Sequence, residues 1–92
     1  NELEQVVSKG FISFFISALE KLNEQNIEIG EAQINETTFK IDFITHDGWK
    51  IMMDTSRSLN NQMSALIQVI EGNKSDIHEY VDVRVEGVVF IK

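Results

Sequence analysis

Apolar side chains fall at positions 3, 7, 11, 15, 18 and 22 between Leu3 and Asn23, flanked by Val6, Phe14 and Leu19, and this spacing predicts a helix with one broad buried stripe. Gly10 lies inside that helix, where it costs about 1 kcal/mol relative to alanine and implies close contact with a strand. After Asn23-Glu24-Gln25-Asn26 the period changes to two. Ile27 and Ile29, then Phe39, Ile41 and Phe43, then Trp49, Ile51 and Met53 form three alternating runs. They are separated by Asn35-Glu36-Thr37 and by Asp47-Gly48, a strong hairpin signal because both residue types tolerate positive φ. The three runs predict an antiparallel meander.

Thr55, Ser56 and Ser58 then offer helix N-caps, and Leu59, Met63, Leu66, Ile67 and Ile70 recur at helical spacing up to Gly72-Asn73. A second helix over about Ser58 to Glu71 follows, and a polar loop from Asn73 to His78 leads to the closing stretch. There Val81, Val83 and Val85 alternate with Asp82 and Arg84, Glu86-Gly87 marks a turn, and Val88, Val89, Phe90 and Ile91 run unbroken before Lys92. The three valines are expected to face the core, with Asp82 and Arg84 on the opposite, solvated face. The unbroken run suits a strand covered on both faces, or one that awaits a partner at a free edge. The predicted order is helix, three strands, helix, two strands: an α+β fold with a mixed or antiparallel five-stranded sheet and two helices against one face.

Ninety-two residues, 42% hydrophobic and 25% charged, describe a single domain with one modest core. The sequence begins at Asn1, has no basic leader, and contains no apolar run near the roughly 20 residues a membrane helix needs. It is therefore expected to be a piece of a longer protein. A net charge of -7 disfavours nucleic acid and anionic membrane surfaces as partners. Without cysteine there is neither a disulfide nor thiolate chemistry.

Candidate chemistry is sparse. His46-Asp47 and His78 lack further ligands at metal-binding spacing, so no metal is expected. Asp54-Thr55-Ser56-Arg57 places a carboxylate, hydroxyls and a guanidinium together, but no histidine is near enough in sequence to serve as a base, and helix capping accounts for the hydroxyls. Asn35-Glu36-Thr37 and Asn73-Lys74-Ser75 match the glycosylation acceptor pattern in polar turns. No catalytic residue, cofactor or small-molecule substrate is indicated. Arg84, beside an apolar final strand, suits an acidic partner segment, or else belongs with Asp82 to a solvated strand face that carries a weak cross-strand ion pair.

The run Val81-Asp82-Val83-Arg84, a short turn and a β-branched last strand resemble the I-D-L-R … V-x-V ending of the FtsQ/DivIB bacterial cell-division proteins, with Val83 where the family has leucine. Asp47-Gly48-Trp49-Lys50-Ile51-Met52-Met53 is similar to that family's "dG-w-x-v-x-l" strand, and the Leu59 to Ile70 helix to the segment before its D-L-R strand. The resemblance implies an extracytoplasmic β-domain spanning residues 1–92, preceded by a transmembrane helix and a POTRA domain. It implies a non-enzymatic divisome scaffold at the division site, on the outer side of the cell membrane. Its partners would be proteins of the FtsB/DivIC and FtsL type, which add a β-strand to the final edge. In these terms Gly87, Val88, Val89, Phe90, Ile91 and Lys92 form the edge, and Arg84 meets an acidic partner residue. Arg84→Glu is then expected to weaken partner binding and leave the fold intact. Two other readings stay open: a different envelope assembly module, or a ligand-binding or enzymatic α+β domain with a pocket lined by Trp49, His46 and Asp54.

Overall fold

The computed structural model describes residues 9–73 and 76–92. The first turns of the expected leading helix, with Leu3, Val6 and Val7, lie outside the described residues, as do Lys74 and Ser75 of the second acceptor pattern. Helix α1, Lys9–Glu24, buries Phe11, Ala18 and Leu22, and the Phe15 ring stacks on Phe43 with centroids 5.8 Å apart. It ends in a Schellman arrangement: Ile27 N–H donates to Leu22 C=O at 3.0 Å and Asn26 N–H to Asn23 C=O at 2.9 Å, with Asn26 at φ 61°. Asparagine tolerates that left-handed position, so the chain turns sharply into the sheet. Gly10 makes no close approach to a strand, and a Cβ there would meet open space, so packing does not require it.

Strands β1 (Ile29–Asn35), β2 (Lys40–Thr45) and β3 (Lys50–Asp54) form the expected antiparallel meander. The β2–β3 loop is His46-Asp47-Gly48. Thr45 N–H donates to Trp49 C=O at 2.8 Å and only Gly48 has positive φ, which is a three-residue loop with a glycine bulge. In the β1–β2 turn, Phe39 belongs to the loop and not to the strand expected from its spacing. It is 52% exposed, holds φ 56°, and its carbonyl accepts Thr55 N–H at 2.7 Å. A bulky residue gains nothing from that conformation, which costs about 1–2 kcal/mol. Phe39→Gly is therefore expected to leave stability unchanged or raise it by up to about 1 kcal/mol, after allowing for glycine's entropy. A chemical denaturation curve checks this, and a loss of stability would show that the exposed ring packs usefully.

Helix α2, Leu59–Asn73, starts at Ser58, whose Oγ accepts Asn61 N–H at 3.2 Å. The helix carries the chain back so that β4, Tyr80–Asp82, lies parallel to β3, and β5, Phe90–Ile91, closes antiparallel to β4. The sheet is thus mixed, in the order β1-β2-β3-β4-β5, with the two helices as a second layer. On the helix side Ile41, Phe43, Ile51, Met53 and Val81 are completely buried, joined by Leu22 and Leu66 from the helices. Trp49, which opens the third strand region, belongs to this core at 8% exposure. No helix among the described residues is long and apolar enough to cross a membrane.

The closing stretch departs from a simple hairpin. Val81 and Val83 are buried as expected, but β4 stops at Asp82 and Val85 is exposed. Val88 N–H donates to Val85 C=O at 3.1 Å across Glu86-Gly87, and Gly87 takes φ 77°, the third position of a turn that requires glycine. The turn therefore sits where expected, but it lies at the tip of a seven-residue loop, 83–89, because pairing resumes only at Asp82 with Phe90.

Candidate functional site

Two groups of residues singled out in the sequence meet at the far edge of the sheet. The first is the Asp82–Arg84 pair. Asp82 lies in the middle of a cross-strand row on the face away from the helices, beside Met52 on one side and Phe90 on the other. The expected solvated position is corrected here: Asp82 is only 8% exposed. Arg84 Nε donates to Asp82 Oδ1 at 2.9 Å and Nη2 to Oδ2 at 2.7 Å, while Arg84 N–H donates to Oδ1 at 3.0 Å. A bidentate guanidinium plus a backbone donor saturates the carboxylate. Burial alone would raise the Asp82 pKa, but the Arg84 hydrogen bonds and charge outweigh it and hold the group below its ordinary 3.8. Asp82 in turn raises the Arg84 pKa against the opposing effect of burial, with Asp42 and Asp54 adding to the rise. The pair is partly buried, bidentate and formed within one chain segment, and not the solvated cross-strand ion pair expected from the sequence.

Beside Arg84 a cavity of about 200 Å³ opens between the start of α2 and the 83–89 loop, lined by Arg57, Ser58, Gln62, Val83, Arg84 and Gly87 among others. Arg57 approaches Asp54 at 3.4 Å, and Asp54 Oδ1 also accepts Ser56 N–H and Oγ, so the Asp54 to Arg57 group is a capping turn. The residue missed in the sequence is Gln62. It is 3% exposed, and its amide bonds the N–H and C=O of Asp54 at 2.8 and 2.9 Å. Asp54 C=O and N–H point toward the β4 side, where β4 has already ended, and the Gln62 amide takes the place of the absent strand. A polar residue on the inner stripe of a helix was the one available signal.

The second group is the edge itself. Lys92 N–H donates to Tyr80 C=O at 2.9 Å and Tyr80 N–H donates to Lys92 C=O at 2.9 Å. Antiparallel alternation then turns the N–H and C=O of Ile91 away from β4, toward the open side. Val88, Phe90 and Ile91 are 44%, 52% and 36% exposed, so of the two expectations for this run, covered on both faces or left at a free edge, the first is corrected and the run is an uncovered apolar edge. Val89 alone packs against the core.

His46 and Trp49 line a separate cavity of about 280 Å³ with Glu28, Thr45 and Asp47, whereas Asp54 stands at the other end of β3, so the pocket of all three residues does not form. His78 is exposed in the loop before β4. Among the described residues no group of three or more His, Cys, Asp or Glu is placed to hold a metal ion. Family models, curated proteins and solved structures provide no match to the chain.

Proposed function

We propose that this domain is a non-enzymatic interaction module that receives a partner β-strand at the open edge of β5. The observation that carries the reading is the contrast between the sheet's two edges. β1 is seven residues long, yet it is blunted by a register shift between Ile29 and Glu31 and by the acidic Glu28 and Glu31. Bulges and charges of this kind protect an edge from unwanted pairing. β5 is only two residues long, but the stretch from Gly87 to Lys92 has neither a register shift nor an acidic residue. It presents outward N–H and C=O groups flanked by exposed Val88, Phe90 and Ile91, the combination that strand addition uses.

The resemblance to FtsQ/DivIB supports the particular partner: a divisome protein of the FtsB/DivIC or FtsL type, met on the outer side of the bacterial cell membrane, with the full-length protein anchored by an upstream helix. In this reading Gly87, Val88, Val89, Phe90, Ile91 and Lys92 form the docking edge. Arg84 keeps Asp82 as its ligand and offers its remaining donors to an acidic partner residue.

Ile91→Pro separates strand addition from other contacts. The Ile91 N–H makes no bond to β4, and an edge strand tolerates proline where that N–H faces solvent. In pull-downs from bacterial envelope extracts, the unaltered chain is expected to retain FtsB/DivIC-type protein and Ile91→Pro to retain at least about tenfold less, which corresponds to loss of the bond donated by the Ile91 N–H. Equal capture by both chains, with an unchanged circular dichroism spectrum, would overturn strand addition.

A further inference from the structure

We infer that the cavity between the start of α2 and the 83–89 loop receives an aromatic side chain of the segment that pairs with β5, seated beside the Arg84 guanidinium. The inference rests on the strand-addition reading for the source of the ring, while the chemistry of the cavity stands on its own.

The polar groups around the cavity already have partners. The Gln62 amide bonds both peptide groups of Asp54 and the Ser58 carbonyl, and Ser58 Oγ accepts Asn61 N–H. Asp82 takes Arg84 Nε and Nη2. What remains is an apolar lining from Ala65, Val83 and Val85, together with the exposed third of the Arg84 side chain. At about 200 Å³ the space suffices for one ring, since an apolar cavity of about 150 Å³ accepts benzene.

The charges select a ring over an acid. A carboxylate inside the cavity would meet Glu86, which lines it, and would join Asp82, Asp42 and Asp54, whose charges already act on Arg84. An acidic partner residue therefore meets Arg84 at the rim and not inside. An aromatic ring brings no net charge and turns a negative face to the guanidinium, an attraction that strengthens as water leaves. Asp82 already holds Arg84 in one orientation, so little freedom is lost when a ring stacks on it. Arg57 lines the same cavity, its side chain 52% exposed, and its 3.4 Å contact with Asp54 is weak enough to exchange for the outer face of the ring. The loop that walls the cavity runs directly into β5, so a strand paired at Ile91 carries its neighbouring residues to the opening.

Magnetic resonance titration of the unaltered chain with N-acetyl-phenylalaninamide, N-acetyl-leucinamide and the corresponding glutamate amide tests this. The aromatic probe is expected to shift the Arg84 Nε–H and the Val85 and Gly87 amides and to bind at least about threefold more tightly than the leucine probe, while the glutamate probe leaves those signals in place. Ala65→Leu, which fills the cavity with a good helix former, should weaken the aromatic probe at least about tenfold, and Ile91→Pro should leave its binding unchanged. The probe comparison needs no variant, so it holds whatever Ala65→Leu does to the fold. Signals that stay in place up to about 20 mM aromatic probe overturn the inference, as do shifts confined to the His46–Trp49 cavity, a leucine or glutamate probe that binds as well, or a folded Ala65→Leu chain that binds the ring unchanged. Probe binding with full partner capture by Ile91→Pro refutes strand addition, whereas capture lost in Ile91→Pro with no probe binding refutes the aromatic site alone.

Discussion

Replacing Gln62 by leucine is expected to destabilise the domain by about 2–4 kcal/mol, although it puts an apolar residue into a nearly buried site. The Gln62 amide completes the sheet where β4 ends, by accepting the Asp54 N–H and donating to the Asp54 carbonyl, with a further bond to Ser58 C=O at 3.2 Å. Leucine fills the space and leaves both Asp54 peptide groups without partners. Each such group costs about 1–3 kcal/mol, reduced here because water reaches the half-buried Asp54. For a domain of this size the melting temperature should fall by roughly 10–20 °C, measured by circular dichroism. A fall of less than about 5 °C would show that water replaces the amide at little cost.

The second large effect concerns Arg84→Glu, which the sequence pattern presents as a clean probe of partner binding. The structure corrects that expectation. The new carboxylate would stand beside Asp82, which is 8% exposed and would lose its bidentate ligand. A loss of about 2–3 kcal/mol at neutral pH is expected, below the range for a fully buried pair because the Arg84 side chain is 34% exposed. The dependence on pH should also invert. In the unaltered protein Asp82 has a lowered pKa when folded, so its contribution is complete above 3.8 and is lost as pH falls through the folded value. In Arg84→Glu, burial and a like charge raise the Asp82 pKa, so the variant should regain stability as pH falls from 7 toward the carboxylate range. Urea denaturation at several pH values distinguishes the two slopes. Parallel pH profiles would show that the Asp82–Arg84 pair contributes little to the folded state.

The same residue pair explains how far the sequence could be read. Ile41 and Phe43, and Ile51 and Met53, alternate because one face of β2 and β3 is packed against helices, and the chain records that packing directly. Ser58 was legible as a cap for a similar local reason. Phe39 misleads because an aromatic at strand spacing reads as buried, whereas its backbone occupies a left-handed turn. Val85 misleads because alternation continues in the sequence past Asp82, where the pairing ends. Gln62 showed only as a polar residue on an inner helix stripe: its partner is the peptide of Asp54, eight residues away, and only the parallel β3–β4 join leaves that peptide uncovered. Whether the Val88–Ile91 run was covered or open depended on strand order, which periodicity does not encode.

The most direct measurement for strand addition at β5 is amide hydrogen exchange on the chain with and without a captured FtsB/DivIC-type segment. Protection should appear at Ile91, whose N–H faces the open edge, and leave Phe90 unchanged, since its N–H already bonds across to β4. Protection confined to the Trp49–His46 cavity, or none at Ile91, would contradict the proposed edge.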